Sequence, residues 1–352
     1  MNYVGIDWAY GRAAWCAKIE SGEIKGEGLI PADEDGLARL VLELGAEVKG
    51  CVEMMSGAVW VRDQLQLAGW QMEVAHARKV RDVAPLAFKD RQGRRQGPGR
   101  ALPARPRPGL WVPSEEDRAI RELLRRRTHL VKSRTSHRNR IFGLLTQFGL
   151  RISLKRLREP DASELLTRRG VPAVWRVSIA SHLEEIDHLD RLVASIDREI
   201  GPIASADPRA KLLATIPGVG PLIGLTFASE IGDVSRFSAP SKLVGYAGLA
   251  PRVSQSGERS ATGRLSKAGS RTLRWAAVEA ANQAWRPSNP FHEHYLRIAS
   301  RHGKNPAKSA VARKLLITSW HMLSRGQVFQ PRRPSGAKNT TAPASSLRFL
   351  AA

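Results

Sequence analysis

Asp7 ends the strand read within the apolar run NYVGIDWA, and Glu53 ends another within GCVEMM. If those runs are neighbouring parallel strands, about 4.8 Å apart, their carboxylates converge at one edge of a sheet. Converging carboxylates are hard oxygen donors that suit Mg²⁺, an ion that bridges to phosphate and compensates charge during displacement at phosphorus. An Asp after a strand is more often a turn residue than a metal ligand, so the pair needs a sheet to bring it together. Farther along, IPGVGP puts Pro217, Gly218 and Gly220 in a tight turn between two helical patterns. That is the signature of a helix-hairpin-helix, whose backbone N–H groups at a helix N-terminus hold phosphate. An ordinary Gly-Pro connection is the alternative. The stretch from Arg236 to Ala281 reads as a loop rich in Ser, Gly, Arg and Lys between helices, and spacing alone selects none of its serines as a nucleophile.

The elements that must position these residues come from periodicity. NYVGIDWA, AAWCAKIE and EIKGEGLI read as three strands, DEDGLARLVLELGAE as a helix, GCVEMM as a strand, GAVWVRDQLQLAG as a helix and QMEVAHA as a strand. This βββαβαβ order is that of the ribonuclease-H-like fold, a meander extended by βα units; another α/β domain with the same count is the alternative. Ser114 to Gly149 reads as a long basic helix, with Ser114 as N-cap and Glu115, Glu116 and Asp117 where the helix dipole favours acids. One face carries an interrupted apolar stripe and the other Arg121, Arg125, Lys132, Arg138 and similar cations, suited to phosphate contact or simply to solvent. A second amphipathic helix covers residues 173–200, so the two predict a helical coiled-coil arm. From Asp207 the chain reads as mainly helical, and the tail from Pro331 as disordered.

The formal net charge of +23 over 352 residues favours a polyanionic partner, because each phosphate contact releases counterions. With 42% apolar residues there is enough to build real cores. Cys16 and Cys51 both fall in strand-like runs, which suits reduced core thiols and a cytoplasmic setting. No apolar run approaches about 18 residues and the N-terminus lacks a signal-type pattern, so no membrane association is expected.

The motifs YVGIDWA, CVEMMSG, IPGVGP, IGDVSRF, YAGLAPR, QSG and LSKAGSRTLR occur in the order found in the IS-one-ten family of insertion-sequence transposases. The chain resembles that family over residues 1–88 and 110–325. The resemblance implies a bridge-RNA-guided DNA recombinase with a RuvC-like α/β domain (1–112), the helical arm (113–205) and a mainly α domain with the helix-hairpin-helix and a catalytic serine (206–328), followed by the tail (329–352). It matches Asp7 and Glu53 to the first two acids of an Asp-Glu-Asp-Asp Mg²⁺ site, and Ser256 of QSG to the serine. The implied partners are DNA, a structured guide RNA and further copies of the chain, as a dimer or tetramer. A serine that attacks a phosphodiester conserves the bond's energy in a phosphoserine link, so strands can be rejoined without ATP. Arg264, Lys267, Arg271 and Arg274 are candidates to stabilise the phosphate oxygens or to hold DNA backbone. Two other readings stay open: a catalytically impaired nucleic-acid-binding remnant, and a RuvC-like junction endonuclease that needs no serine.

One segment departs from the pattern. Lys89 to Gly109 holds seven Lys or Arg, four Pro, four Gly and a single acid, Asp90. Members of the resembled family have here a sequence similar to K-T-D-x-x-D-A-R-x-L-A-E-L, which supplies the third and fourth acids. For one choice of synonymous codons for K-T-D-K-V-D-A-R-V-L-A-E-L, followed by the bases TG, a single G inserted after the lysine codon yields K-D-R-Q-G-R-R-Q-G-P-G-R-A-L, which is Lys89 to Leu102. The segment therefore reads as a shifted frame, with a genuine basic linker as the alternative. A shift removes two of the four acids, and Asp90 gains no ligand role from its position.

Overall fold

The computed structural model describes residues 1–75, 110–256 and 259–331, with backbone only from 253 to 264. The chain divides into two compact units, Met1–Pro113 and Ser114–Ala352. The expectations for residues 89–109 and for most of the tail lie outside the described residues.

In the first unit, β1 (Asn2–Trp8), β2 (Arg12–Lys18) and β3 (Ile24–Pro31) form a meander. Helix α1 (Glu34–Leu44), strand β4 (Val48–Glu53), helix α2 (Ala58–Leu67) and strand β5 (Gln71–Ala75) follow. The sheet order is β3-β2-β1-β4-β5, antiparallel within the meander and parallel across β1, β4 and β5. The expected βββαβαβ order is thus present in a five-stranded mixed α/β sheet. Alternation of side chains decides the faces. Val4, Ile6 and Trp8 of β1, Trp15 and Ala17 of β2 and Val52 of β4 are buried with Leu37, Leu40 and Leu44 of α1 and Ala58, Val61 and Leu65 of α2. Asp33 fixes the start of α1, its Oδ1 accepting the Gly36 N–H at 2.8 Å. Gly36 has no alternative: a Cβ there would sit 2.0 Å from the Pro31 carbonyl oxygen.

The second unit opens with α3 (Glu115–Thr146), capped as expected by Ser114 Oγ, which accepts the Asp117 N–H at 3.1 Å. A short helix α4 (Ala162–Arg168) leads to α5 (Ala173–Ala206), which runs past the expected end at residue 200 and carries Pro202 in its last two turns. There the ring forfeits only one intrahelical bond, and packing of Ile200 and Ala204 keeps the helix going. Helices α3 and α5 pair antiparallel. Arg127 meets Asp197 (Nη2 to Oδ2 3.1 Å), and Arg134, seven residues on, meets Asp190, seven residues back. Matched seven-residue steps in opposite directions are the register of an antiparallel coiled coil. The arm is rooted in the C-terminal core, because Ile120 and Leu124 of α3 are buried in the same cluster as Leu213, Phe227 and Leu273.

The remaining elements are α6 (Pro208–Leu213), α7 (Pro221–Ile231), α8 (Pro240–Tyr246), strands β6 (Pro251–Ser256) and β7 (Arg259–Leu265), α9 (Arg271–Ala281), α10 (His292–His302) and α11 (Lys304–Arg325). Strands β6 and β7 correct the expectation of a loop. They pair antiparallel from Pro251↔Leu265 to Ser256↔Arg259. The Ser- and Gly-rich composition hid the hairpin, because it offers none of the apolar alternation by which a strand announces itself.

Candidate active site and nucleic-acid interface

Ile6 lies opposite Val52 in the parallel pairing of β1 with β4, and one register step farther Asp7 lies beside Glu53. Both are half-buried and share the sheet face opposite Ile6 and Val52. Helices α1 and α2 cover the core face, so among the described residues of this unit no helix covers the face carrying the acids. One pleat back, the same face carries Cys16, Gly5, Cys51 and Glu73 in a row across four strands. Burial pushes the Cys51 thiol up to about 11, and Glu73 adds to it. Burial also raises Cys16, with Glu27 adding and Lys18 opposing. Both thiols are free, as expected, and neither is poised as a nucleophile. The strand carrying Gly5 separates them by two strand spacings, about 9.6 Å, beyond the reach of a disulfide.

Asp7 and Glu53 supply two oxygen-donor side chains, a donor chemistry that fits a hard divalent cation. Among the described residues no group of three or more His, Cys, Asp or Glu side chains is placed to hold a metal ion. Asp90 lies outside those residues.

In the second unit, α6 and α7 are joined by the IPGVGP turn. Ile216 and Val219 are buried, whereas Pro217, Gly218 and Gly220 are exposed. The apolar pair anchors the turn and the glycines form its outer surface. Gly218 has φ +96°, and a Cβ there would come 2.9 Å from the Ala280 carbonyl oxygen. The first N–H groups of α7 behind Gly220 have no partner within the helix, as at any helix start.

The motifs YAGLAPR and LSKAGSRTLR interlock. The Ser266 N–H donates to Ala250 O at 2.9 Å, Lys267 N–H to Gly248 O at 3.1 Å and Ser270 N–H to Tyr246 O at 2.8 Å. Gly269 fits only as glycine, since its Cβ would lie 2.1 Å from Tyr246 O. Lys267 adopts φ +52° and is exposed on this strap. Arg274 Nη1 donates to the carbonyls of Ala247 (2.9 Å) and Lys267 (3.1 Å), and burial, then the charge of Arg271, lowers its pKa. Arg274 thus braces the strap, while Arg271 is exposed at the start of α9. Ser256 ends β6 opposite Arg259, and Arg264 lies on β7 one residue before the strand ends; their side chains are outside the described residues.

On α3, Lys132 is exposed and Arg138 half-buried. Arg125 is half-exposed and reaches a group that sequence reading missed, Glu230, whose Oε1 lies 3.2 Å from Arg125 Nη2. Glu230 is 2% exposed, and its Oε2 accepts the hydroxyl of Ser270, the N-cap of α9, at 2.9 Å. Beside it, Arg121 departs from the expected cationic outer face: it is buried and donates to the carbonyls of Ser229 (2.7 and 2.8 Å) and Glu230 (3.1 Å), closing the C-terminal end of α7. Glu230 therefore ties the root of the arm to the start of α9. Its replacement by Ala is expected to destabilise the unit by about 1.5–3 kcal/mol, the cost of hydrogen bonds to a charged group, and Glu230→Gln by less. Urea denaturation of the two variants measures both.

Residues 210–296 match the family model described as "Transposase IS116/IS110/IS902 family". The chain is 28% identical over 229 residues to a probable family 20 transposase of Pseudomonas aeruginosa, covering 62% of this chain and 68% of that one. It is 30% identical over 224 residues to the transposase for insertion sequence element IS1111A of Coxiella burnetii, covering 61% of each. A pilin gene-inverting protein of Moraxella bovis is 29% identical over 191 residues, 51% of this chain and 58% of that protein. The matches thus span from somewhat over half to about two thirds of these relatives.

Proposed function

We propose that this chain, an IS110-family transposase by the domain over residues 210–296, belongs to a machinery that cuts and rejoins DNA through a serine nucleophile, assisted by Mg²⁺ at a RuvC-like acidic site. The observation that carries the acidic site is the adjacency of Asp7 and Glu53 on parallel strands of a β3-β2-β1-β4-β5 sheet. That is the strand order of a ribonuclease-H-like domain, and it puts both carboxylates on one face. The Moraxella relative is named for inverting a gene, an outcome that requires strands to be cut and rejoined.

In this reading the Ser256 hydroxyl attacks a DNA phosphodiester. The Oγ–P bond forms as the P–O bond to one deoxyribose breaks, and the serine proton passes to the departing hydroxyl. Attack by the hydroxyl of the incoming strand reverses these changes and frees the serine, so no cofactor is consumed. Asp7 and Glu53 would hold Mg²⁺, which supplies compensation for charge at phosphorus. The exposed cations Lys267, on a strap locked by Gly248 and Gly269, and Arg271, at the start of α9, suit phosphate oxygens; Arg264 on β7 is a further candidate. The Pro217–Gly220 turn suits DNA backbone in the manner of a helix-hairpin-helix. A structured guide RNA and self-association complete the proposal on the family resemblance and the net charge of +23.

On the family resemblance, Asp7 and Glu53 are half of a four-acid set, which favours a second reading of an impaired form that binds nucleic acid without recombining it. Titration with Mg²⁺ by calorimetry tests the joint site. Binding is expected to be weak, and to weaken by about tenfold or more in Asp7→Asn or Glu53→Gln as ligand charge is removed. Metal binding unchanged in both variants would remove the basis for the site.

A further inference from the structure

We infer that Trp285 and Arg286 form a stacking ledge for an unpaired nucleobase, set beside the Pro217–Gly220 turn that receives the phosphate backbone of the same strand; this rests on the nucleic-acid reading above. Trp285 is 57% exposed, the most exposed of the chain's nine tryptophans, all of which are described. An indole left in water on a folded surface is a large apolar area without a partner. It is also held still. Ala284, just before it, is 1% exposed, and the Arg286 N–H donates to Gln283 O at 3.2 Å. Asn289, four residues on, is buried; its Oδ1 accepts the Phe291 N–H at 2.9 Å and its Nδ2 reaches Pro217 O at 3.5 Å. The ring is therefore mounted on a braced loop and loses little freedom when something stacks on it.

Three observations point to a nucleotide as the occupant. The guanidinium carbon of Arg286 lies 5.7 Å from the Trp285 ring centroid, so a cation and a π face are presented together, and both residues are exposed. The ledge adjoins the glycine turn, because Gly218 packs against the end of α9, where an added Cβ would be 3.4 Å from Gln283 Cβ. The chain carries a surplus of 23 positive charges, which suits a polyanion and disfavours a basic or neutral apolar partner. Aromatic faces beside phosphate-holding groups take unpaired bases of any sequence, whereas the bases of an intact duplex are already stacked. A single-stranded segment fits, whether a loop of RNA or a displaced DNA strand.

The test uses the full chain and three fluorescently labelled oligonucleotides of one mixed sequence: single-stranded DNA, single-stranded RNA and duplex DNA. Anisotropy is expected to show Trp285→Ala weakening single-strand binding by about fivefold or more, with duplex binding within about twofold of wild type. Trp285→Phe should retain most of the affinity and Arg286→Ala should lose part of it. The strand type that loses more identifies the source of the base. Equal losses on duplex and single strands, or no loss on either single strand, would overturn the ledge while leaving the nucleic-acid reading standing. Failure of the wild-type chain to bind any of the three would overturn both.

Discussion

Replacing Asp90–Leu102 by the sequence T-D-K-V-D-A-R-V-L-A-E-L is expected to give DNA recombination, and the chain with Asp90–Leu102 in place is expected to give nucleic-acid binding without recombination. The argument is one of charge and placement. Two carboxylates leave more of a divalent ion's charge uncompensated than four would. Ligands must also be held to within about half an ångström of the productive geometry. A segment with seven Lys or Arg, four Pro and four Gly supplies neither the acids nor the helical propensity to hold them. The replacement returns two aspartates three residues apart, which share one face at a helix start. A recombination assay on the two versions, with matched RNA and DNA, should give product only with the replacement. Equal activity in both would show that Lys89–Gly109 is a functional linker.

The second large effect is expected at Ser256. In the recombining version, Ser256→Ala should reduce strand exchange by about 10³-fold or more, the scale on which removal of a covalent nucleophile acts. DNA binding should be little changed, because the cations of α3 and of the strap remain. This outcome separates the serine recombinase from a junction endonuclease, whose metal-assisted cutting needs no Ser256. Exchange that survives the substitution would exclude the serine mechanism.

What the sequence disclosed followed the strength of local signals. The meander and both βα units were legible because Val4, Ile6 and Trp8 alternate with Tyr3, Gly5 and Asp7, and the expected convergence of Asp7 and Glu53 came from reading their two runs as neighbouring parallel strands. Ser114 and the acids after it marked the start of α3. The β6–β7 hairpin was not legible, since polar and glycine residues occupy both faces of its pattern. Glu230 was missed because an acid near a helix end reads as a solvated charge. Its partners Arg125 and Ser270 lie 105 and 40 residues away, and only the fold brings them together. Arg274 was legible as a cation but not as a brace, because the carbonyls it holds belong to the strap and to the end of α8.

The central claim is that the joining chemistry passes through Ser256, and trapping the covalent intermediate tests it most directly. The recombining version is incubated with a DNA substrate carrying a nick next to the cleavage position, so that the released fragment diffuses away and rejoining fails. The adduct is then digested and its peptides mapped by mass spectrometry. The account predicts one nucleotide-bearing peptide, modified at Ser256 and absent from Ser256→Ala. A nucleotide adduct on any other residue, or strand exchange with no protein-linked DNA at all, would contradict it.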